Sequence, residues 1–102
     1  MTLDQFGALL VTIDPDVKHF DSMAEGNFTV WQEYERIKAY ADGRNQGGWK
    51  VQIERYTTDE DDAIATALES AFDASDEIAF HHELDYDAES GLIRHIFDCE
   101  VG

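Results

Sequence analysis

The sequence predicts an α+β fold, a mainly antiparallel sheet with two helices packed on it, in the order α-β-β-β-α-β-β. Three observations carry this expectation. Two segments space their apolar residues by three and four, residues 49–56 alternate with a period of two, and residues 78–101 close into one hairpin whose apolar side chains nearly all share a face. With 102 residues, 43% of them hydrophobic, the chain makes one domain over 1–102 with a single core. Two Trp, four Tyr and six Phe argue against disorder despite a net charge of −16.

The first helix is expected over residues 3–12, where Leu3, Phe6, Leu9, Leu10 and Ile13 form one stripe. Asp14-Pro15-Asp16 ends it, because a proline pushes the residue before it out of the helical region. Residues 17–20 read as a short strand, 21–26 as a polar turn, and 27–35 as a second strand. In that strand Phe28, Val30, Gln32 and Tyr34 share a face, and Trp31 falls on the other, either under a helix or exposed to a partner. Residues 41–48 hold three glycines and no large apolar side chain, so they are expected to form a mobile loop. Residues 49–56 then place Trp49, Val51, Ile53 and Arg55 against Lys50, Gln52, Glu54 and Tyr56, the pattern of a half-buried strand.

The second helix follows Thr57, which stands at capping-box spacing from Glu60. Asp59, Glu60, Asp61 and Asp62 are expected at the positive end of its dipole, and Ile64, Ala67, Leu68, Ala71 and Phe72 on its buried stripe. For the last two strands a four-residue loop, Ala88-Glu89-Ser90-Gly91, fixes a register. Gly91 takes a positive φ and Asp87 pairs with Leu92. Counting outward sets Tyr86 opposite Ile93, Leu84 opposite His95, His82 opposite Phe97, Phe80 opposite Cys99 and Ile78 opposite Val101. On the other face Asp85 meets Arg94 and His81 meets Asp98, opposite charges directly across. A slip of one residue would mix the faces.

Charge is sorted along the chain. Residues 57–102 carry fourteen acids against one base, Arg94, whereas five of the seven bases (Arg36, Lys38, Arg44, Lys50 and Arg55) fall within residues 36–55. One acidic half and one locally basic stretch suit a head-to-tail contact between copies. The basic stretch nets only +3 after Asp42 and Glu54, too little for binding a nucleic-acid backbone. No run of about 18 apolar residues predicts a membrane span, and no basic segment followed by an apolar one predicts a signal peptide. Cys99 is the single cysteine, which excludes an internal disulfide and fits a reducing compartment.

No catalytic, metal or cofactor site is expected. His82, His95 and Cys99 share a face, but His95 and Cys99 are separated by Phe97, roughly 7 Å along the strand at about 3.3 Å per residue, so packed histidines fit better than a zinc site. Asp85, Asp87 and Glu89 imitate the start of a calcium loop, yet Ser90 and Ile96 stand where its glycine and bidentate glutamate belong. Ser22, Ser70, Ser75 and Ser90 lack nucleophile-elbow glycines, and Cys99 is expected to face inward, where a thiolate is disfavoured. The residues expected to meet a partner are Trp31, Arg36, Lys38, Arg44, Lys50 and Arg55, since large aromatics and arginine anchor interfaces.

The strand Phe28-Thr29-Val30-Trp31-Gln32-Glu33, the segment Ala41-Asp42-Gly43-Arg44-Asn45, the strand over 49–56, the acid-capped helix over 61–72 and the hairpin over 84–101 with Asp87-Ala88-Glu89-Ser90-Gly91-Leu92-Ile93 together resemble the tail-terminator, or tail-completion, proteins of long-tailed bacteriophages and prophages. The resemblance covers nearly the whole chain and lies in layout and length. It implies a virion protein of the tail or neck, made in the host cytoplasm, that forms a ring, commonly a hexamer. The ring caps the tail tube, ends tube polymerisation and joins tail to head, with the tail tube protein and the head–tail connector protein as partners. It implies no catalytic residue and no cofactor. Within this reading DNA passes through the ring without specific binding, and the 41–48 segment projects into the channel or onto the tube. Two alternatives stand beside it: a neck or head–tail adaptor, and a small acidic DNA mimic that inhibits a host nucleic-acid-binding protein.

Overall fold

Alternation builds the middle of the sheet. A computed structural model describes the backbone of residues 1–20, 26–41 and 44–102, and the side chains of these apart from 39–41 and 44–46. Strand β3 (Arg44–Thr57) turns Val51, Ile53, Arg55 and Thr57 to one face, where all four are buried. Around it β1 (Lys18–His19), β2 (Phe28–Ala41), β4 (Ile78–Asp87) and β5 (Leu92–Val101) complete a five-stranded sheet in the order β1-β2-β3-β5-β4. Every pairing is antiparallel except that of β1 with β2. Helices α1 (Leu3–Ile13) and α2 (Ala63–Asp73) cover the face of Val51 and Ile53, so the chain is α+β in the order its sequence predicts.

The core lies between that face and the two helices. Phe6 and Leu10 of α1 and Leu68 and Phe72 of α2 are fully buried against Val51, Ile53, Phe97, Cys99 and Val101. Phe72 sits at the centre, its ring 5.7 Å from Phe6, 5.8 Å from Phe80 and 5.5 Å from Phe97. Emptying such a position costs about 3–5 kcal/mol. Helix α1 opens with a capping box, in which the Thr2 hydroxyl accepts from the Gln5 N–H and the Gln5 side chain accepts from the Thr2 N–H. It stops at Asp14, which the following proline holds in extended geometry (ψ 99°).

Helix α2 starts later than expected. Asp62 is its N-cap and accepts from the Ala65 N–H at 2.9 Å, and no acid occupies the first turn. Thr57 caps a turn of its own, accepting from the Asp59 N–H, so Thr57 and Glu60 do not form a capping box. The reason is a stronger partner for Asp62: Arg55 fixes its carboxylate in place and thereby fixes where the helix begins. On the buried stripe Ala65 takes the place expected for Ala67, which is exposed.

The β4–β5 hairpin has the expected register at every position from Ile78 with Val101 to Asp87 with Leu92, and Gly91 has φ +74°. The β2–β3 hairpin departs from expectation. Residues 44–48, read as loop, continue β3 in register with β2 from Ala41–Arg44 to Ile37–Gly48; residues 42–43 and the 21–25 turn lie outside the described residues. Gly47 and Gly48 are there for close approach. A Cβ on Gly48 would collide with the Val101 carbonyl, and one on Gly47 would meet the Ile37 carbonyl. Because β5 pairs with β3 only from Trp49 onward, the paired stretches Ile37–Ala41 and Arg44–Gly48 project beyond the sheet as a two-stranded arm. The molecule is correspondingly long, 49 Å against 24 and 22 Å.

Candidate assembly surface

The six residues expected to meet a partner separate into three groups. Trp31 and Arg55 lie inside the protomer. Trp31 is 7% exposed, edge-on to Phe6 at 5.8 Å and stacked by His19 at 4.0 Å, and its ring sits so close beneath α1 that a Cβ on Gly7 would be 3.1 Å from it. Of the two placements its sequence position leaves open, it takes the one under a helix. Its burial follows from a β-bulge between Glu33 and Glu35, which lets the first half of β2 turn its odd-numbered side chains to the helices.

Arg55 is 8% exposed and joins three elements. Its Nε donates to Asp62 Oδ2 at 2.9 Å and its Nη2 to Asp62 Oδ1 at 3.2 Å, a two-pronged pair. Nη1 donates to Thr29 Oγ1 at 3.3 Å and stands 3.7 Å from Asp14 Oδ2. The same Asp62 carboxylate accepts from Thr57 and caps α2. Burial works against its ionisation, but Arg55, the Ala65 N–H and Thr57 outweigh it and hold its carboxyl below the ordinary value. Arg55 therefore serves the fold.

The second group, Arg36, Lys38 and Lys50, is half-exposed or exposed on or beside the arm. Arg36 pairs across from Trp49 and lays its guanidinium 5.0 Å over the Trp49 ring. Lys38, two residues on, shares that helix-side face by alternation. Lys50 points to the opposite face and pairs with Glu35 at 3.0 Å. Among the described residues no carboxylate lies within ion-pair distance of Arg36 or Lys38. Arg44 forms the third group: its backbone pairs with Ala41 near the arm's tip, and its side chain lies outside the described residues.

Register places these cations opposite to the acidic turns. Arg36 aligns with Trp49, Val101 and Ile78 at one end of the sheet; Phe28 aligns with Tyr56, Arg94 and Asp85 at the other. At that second end lie the exposed Asp59, Glu60, Asp61, Asp85 and Glu89, with Asp87 held by Ser90 at 2.7 Å and Asp85 by Arg94 at 2.6 Å. The arm's end is mixed, since Asp76, Glu77 and Glu100 flank its base. Among the described side chains, the cations on its helix side are Lys38 and, at its base, Arg36.

The two inward histidines of the hairpin lie against each other and against Phe97. His82 Nε2 and His95 Nδ1 are 3.1 Å apart, His82 stacks on Phe97 at 4.3 Å, and Glu69 Oε2 stands 3.9 Å from His82 Nδ1. His95 is 3% exposed with Nε2 lacking a hydrogen-bond partner. Burial, then the neighbouring His82, push its pKa down against the opposing pull of Asp62 and the Asp59 main chain. Among the described residues no group of three or more potential ligands comes together. Cys99 does face inward, and burial pushes its thiol up to about 12. No helix among the described residues is long and apolar enough to cross a membrane. No protein-family model matches the chain, and no curated protein sequence is significantly similar to it.

Proposed function

We propose that this protein is a self-assembling structural component of a tailed-phage particle. It forms a ring that caps the tail tube, ends its polymerisation and joins tail to head. The observation that carries the reading is the arm: a two-stranded projection with Lys38 on its helix-side face and Arg36 at its base on the same side, on a body whose far end is acidic. A ring requires one patch to meet a different patch on the next copy, and this charge layout supplies such a pair. The likeness of layout to tail terminators supplies the rest, including the tube protein and the connector as partners and a hexamer as the usual ring. At net −16 the body also repels polyanions, as a ring traversed by DNA requires.

The test is assembly at low salt, measured by sedimentation velocity and negative-stain microscopy, with and without isolated tail tubes. Wild-type protein gives rings or caps tubes, and the double variant Arg36→Glu/Lys38→Glu does neither while keeping the wild-type circular dichroism. Rings that persist in the double variant sink the charge-pairing account. A wild-type chain that neither forms rings nor binds tubes, and instead displaces DNA from a host protein, sinks the tail reading and leaves the DNA mimic.

A further inference from the structure

We propose that the outer edge of β4 pairs with the same edge of a second copy of this chain, antiparallel about a two-fold axis at His82. Among the described residues β4 hydrogen-bonds only to β5, along all ten of its positions, so its other edge leaves alternate N–H and C=O groups to water or to another strand. The sheet's two edges are not equivalent. The β2 edge is partly covered by β1 and broken by the Glu33/Glu35 bulge. Among the described residues the β4 edge has no covering strand and no register shift, and β4 holds no proline and no lysine; of the usual means of discouraging edge pairing it has only the charges of Glu83, Asp85 and Asp87, all on the helix-free face.

Side chains along β4 select one partner. Leu84 and Tyr86 are 54% and 66% exposed on the helix-side face, the face that also carries Ile78, Phe80 and His82. With His82 opposite itself, Phe80 meets the partner's Leu84 and Ile78 meets the partner's Tyr86, so the exposed half of each strand covers the inward half of the other. On the opposite face His81 meets the partner's Glu83, and Ala79 meets the partner's Asp85. Within β4 no two acids are then directly opposed, and each Asp87 faces the partner's Glu77 just before the strand. A two-residue slip one way sets Glu83 against itself; the other way sets His81 against itself and leaves Tyr86 without an apolar partner. A one-residue slip turns each copy's apolar set to the wrong face. The strand is therefore self-complementary with His82 on the axis, the requirement of a two-fold interface.

This contact does not rest on the tail reading, and salt separates the two. Backbone pairing and apolar cover work here against the mutual repulsion of two chains at −16, so screening tightens the pair. A contact between a cationic arm and an acidic end weakens under the same conditions. Sedimentation of the full chain at about 0.05 M and about 0.5 M salt reads this directly. We expect a dimer that strengthens with salt and that weakens at least tenfold in Leu84→Glu, whose exposed position leaves circular dichroism unchanged. Register is read with a short thiol-to-thiol cross-linker. His82→Cys cross-links to itself, whereas in Ala79→Cys the two thiols stand about 20 Å apart, six residues at about 3.3 Å each, and do not. Wild-type protein, with Cys99 buried, is the control. A monomer at both salts, a dimer that salt dissolves, or cross-linking of Ala79→Cys as fast as of His82→Cys overturns the proposal.

Discussion

Asp62 joins a helix start to a buried cation, and its replacement separates the two contributions. In Asp62→Ala the Ala65 N–H loses its acceptor, a capping loss of about 1 kcal/mol. Arg55, 8% exposed, loses both prongs of its carboxylate partner, and stranding a buried charge costs about 3–5 kcal/mol. Asp14, 3.7 Å away, remains and holds the second contribution near its lower end. The expected loss is therefore about 4 kcal/mol, a large share of the 5–15 kcal/mol that holds a domain together. Asp62→Asn keeps an N-cap oxygen while removing the charge, so it should recover about 1 kcal/mol of that loss. Urea unfolding followed by the fluorescence of Trp31 and Trp49 measures all three proteins. Because the carboxyl of Asp62 is held below its ordinary value, its contribution is present above that value and is lost as pH falls through the folded one. Acidification below about pH 4 should accordingly cost the wild type more than Asp62→Asn. An Asp62→Ala protein within about 0.5 kcal/mol of wild type would show that Arg55 finds its stabilisation elsewhere and that this account is mistaken.

Two further outcomes follow from packing. His95 is buried with its pKa depressed, so the unfolded chain takes up the proton first: its contribution is whole above the unfolded value near 6.5 and declines as pH falls toward the folded one. Stability should drop by up to about 1.4 kcal/mol per pH unit over that interval, and an NMR titration placing the His95 ring at or above 6.5 would contradict it. Gly48→Ala drives a Cβ into the Val101 carbonyl, so β3 and β5 must part at the arm's base at a cost of about 1–3 kcal/mol. Thermal melting that matches wild type would show that the arm yields freely there.

What the sequence made legible is what period and pairing control. The β4–β5 register was fixed because a one-residue slip would have faced Phe80, His82 and Leu84 the wrong way and parted Asp85 from Arg94, and it holds at all ten positions. The helices were legible from the stripes of Phe6 and Leu10, and of Leu68 and Phe72. The arm was not, because glycine in a sequence reads as a turn, whereas Gly47 and Gly48 serve close backbone approach inside a strand. Arg55 was the instructive case. Its place in the inward series Trp49, Val51, Ile53, Arg55 already predicted burial, and a buried arginine requires a carboxylate partner. That requirement alone does not choose among 23 acids; the structure supplies Asp62, with Asp14 behind it, and with Asp62 the start of α2. Trp31 shows the opposite limit: its face depended on the bulge between Glu33 and Glu35, which no periodicity announces.

The two faces of the sheet differ in a way that bears on how copies could be oriented. On the helix-free face, register lines up Glu35, Glu54, Glu83, Asp85, Asp87, Asp98 and Glu100, against Lys18, Lys50 and Arg94 among the described side chains. Strands lie about 4.8 Å apart, and charges within about 8–10 Å escape most screening at physiological salt, so these acids act as one negative surface. The helix side is where Arg36 and Lys38 emerge, beyond the ends of α1 and α2. In the proposed ring, an inward helix-free face would meet passing phosphates with net repulsion, its Lys50 and Arg94 being paired to Glu35 and Asp85, and would leave the arm to reach a neighbour or the tube. The opposite orientation would turn Arg36 and Lys38, which have no carboxylate partner among the described residues, toward the DNA and retard it. The charge of the sheet thus favours helices outside and strands within. Neutralising Glu54, Glu83 and Asp98 together as amides tests this: they lie away from the arm, so rings should still form but should retain DNA that wild-type rings release at the same salt. Rings that release DNA equally well would put the helices on the inside.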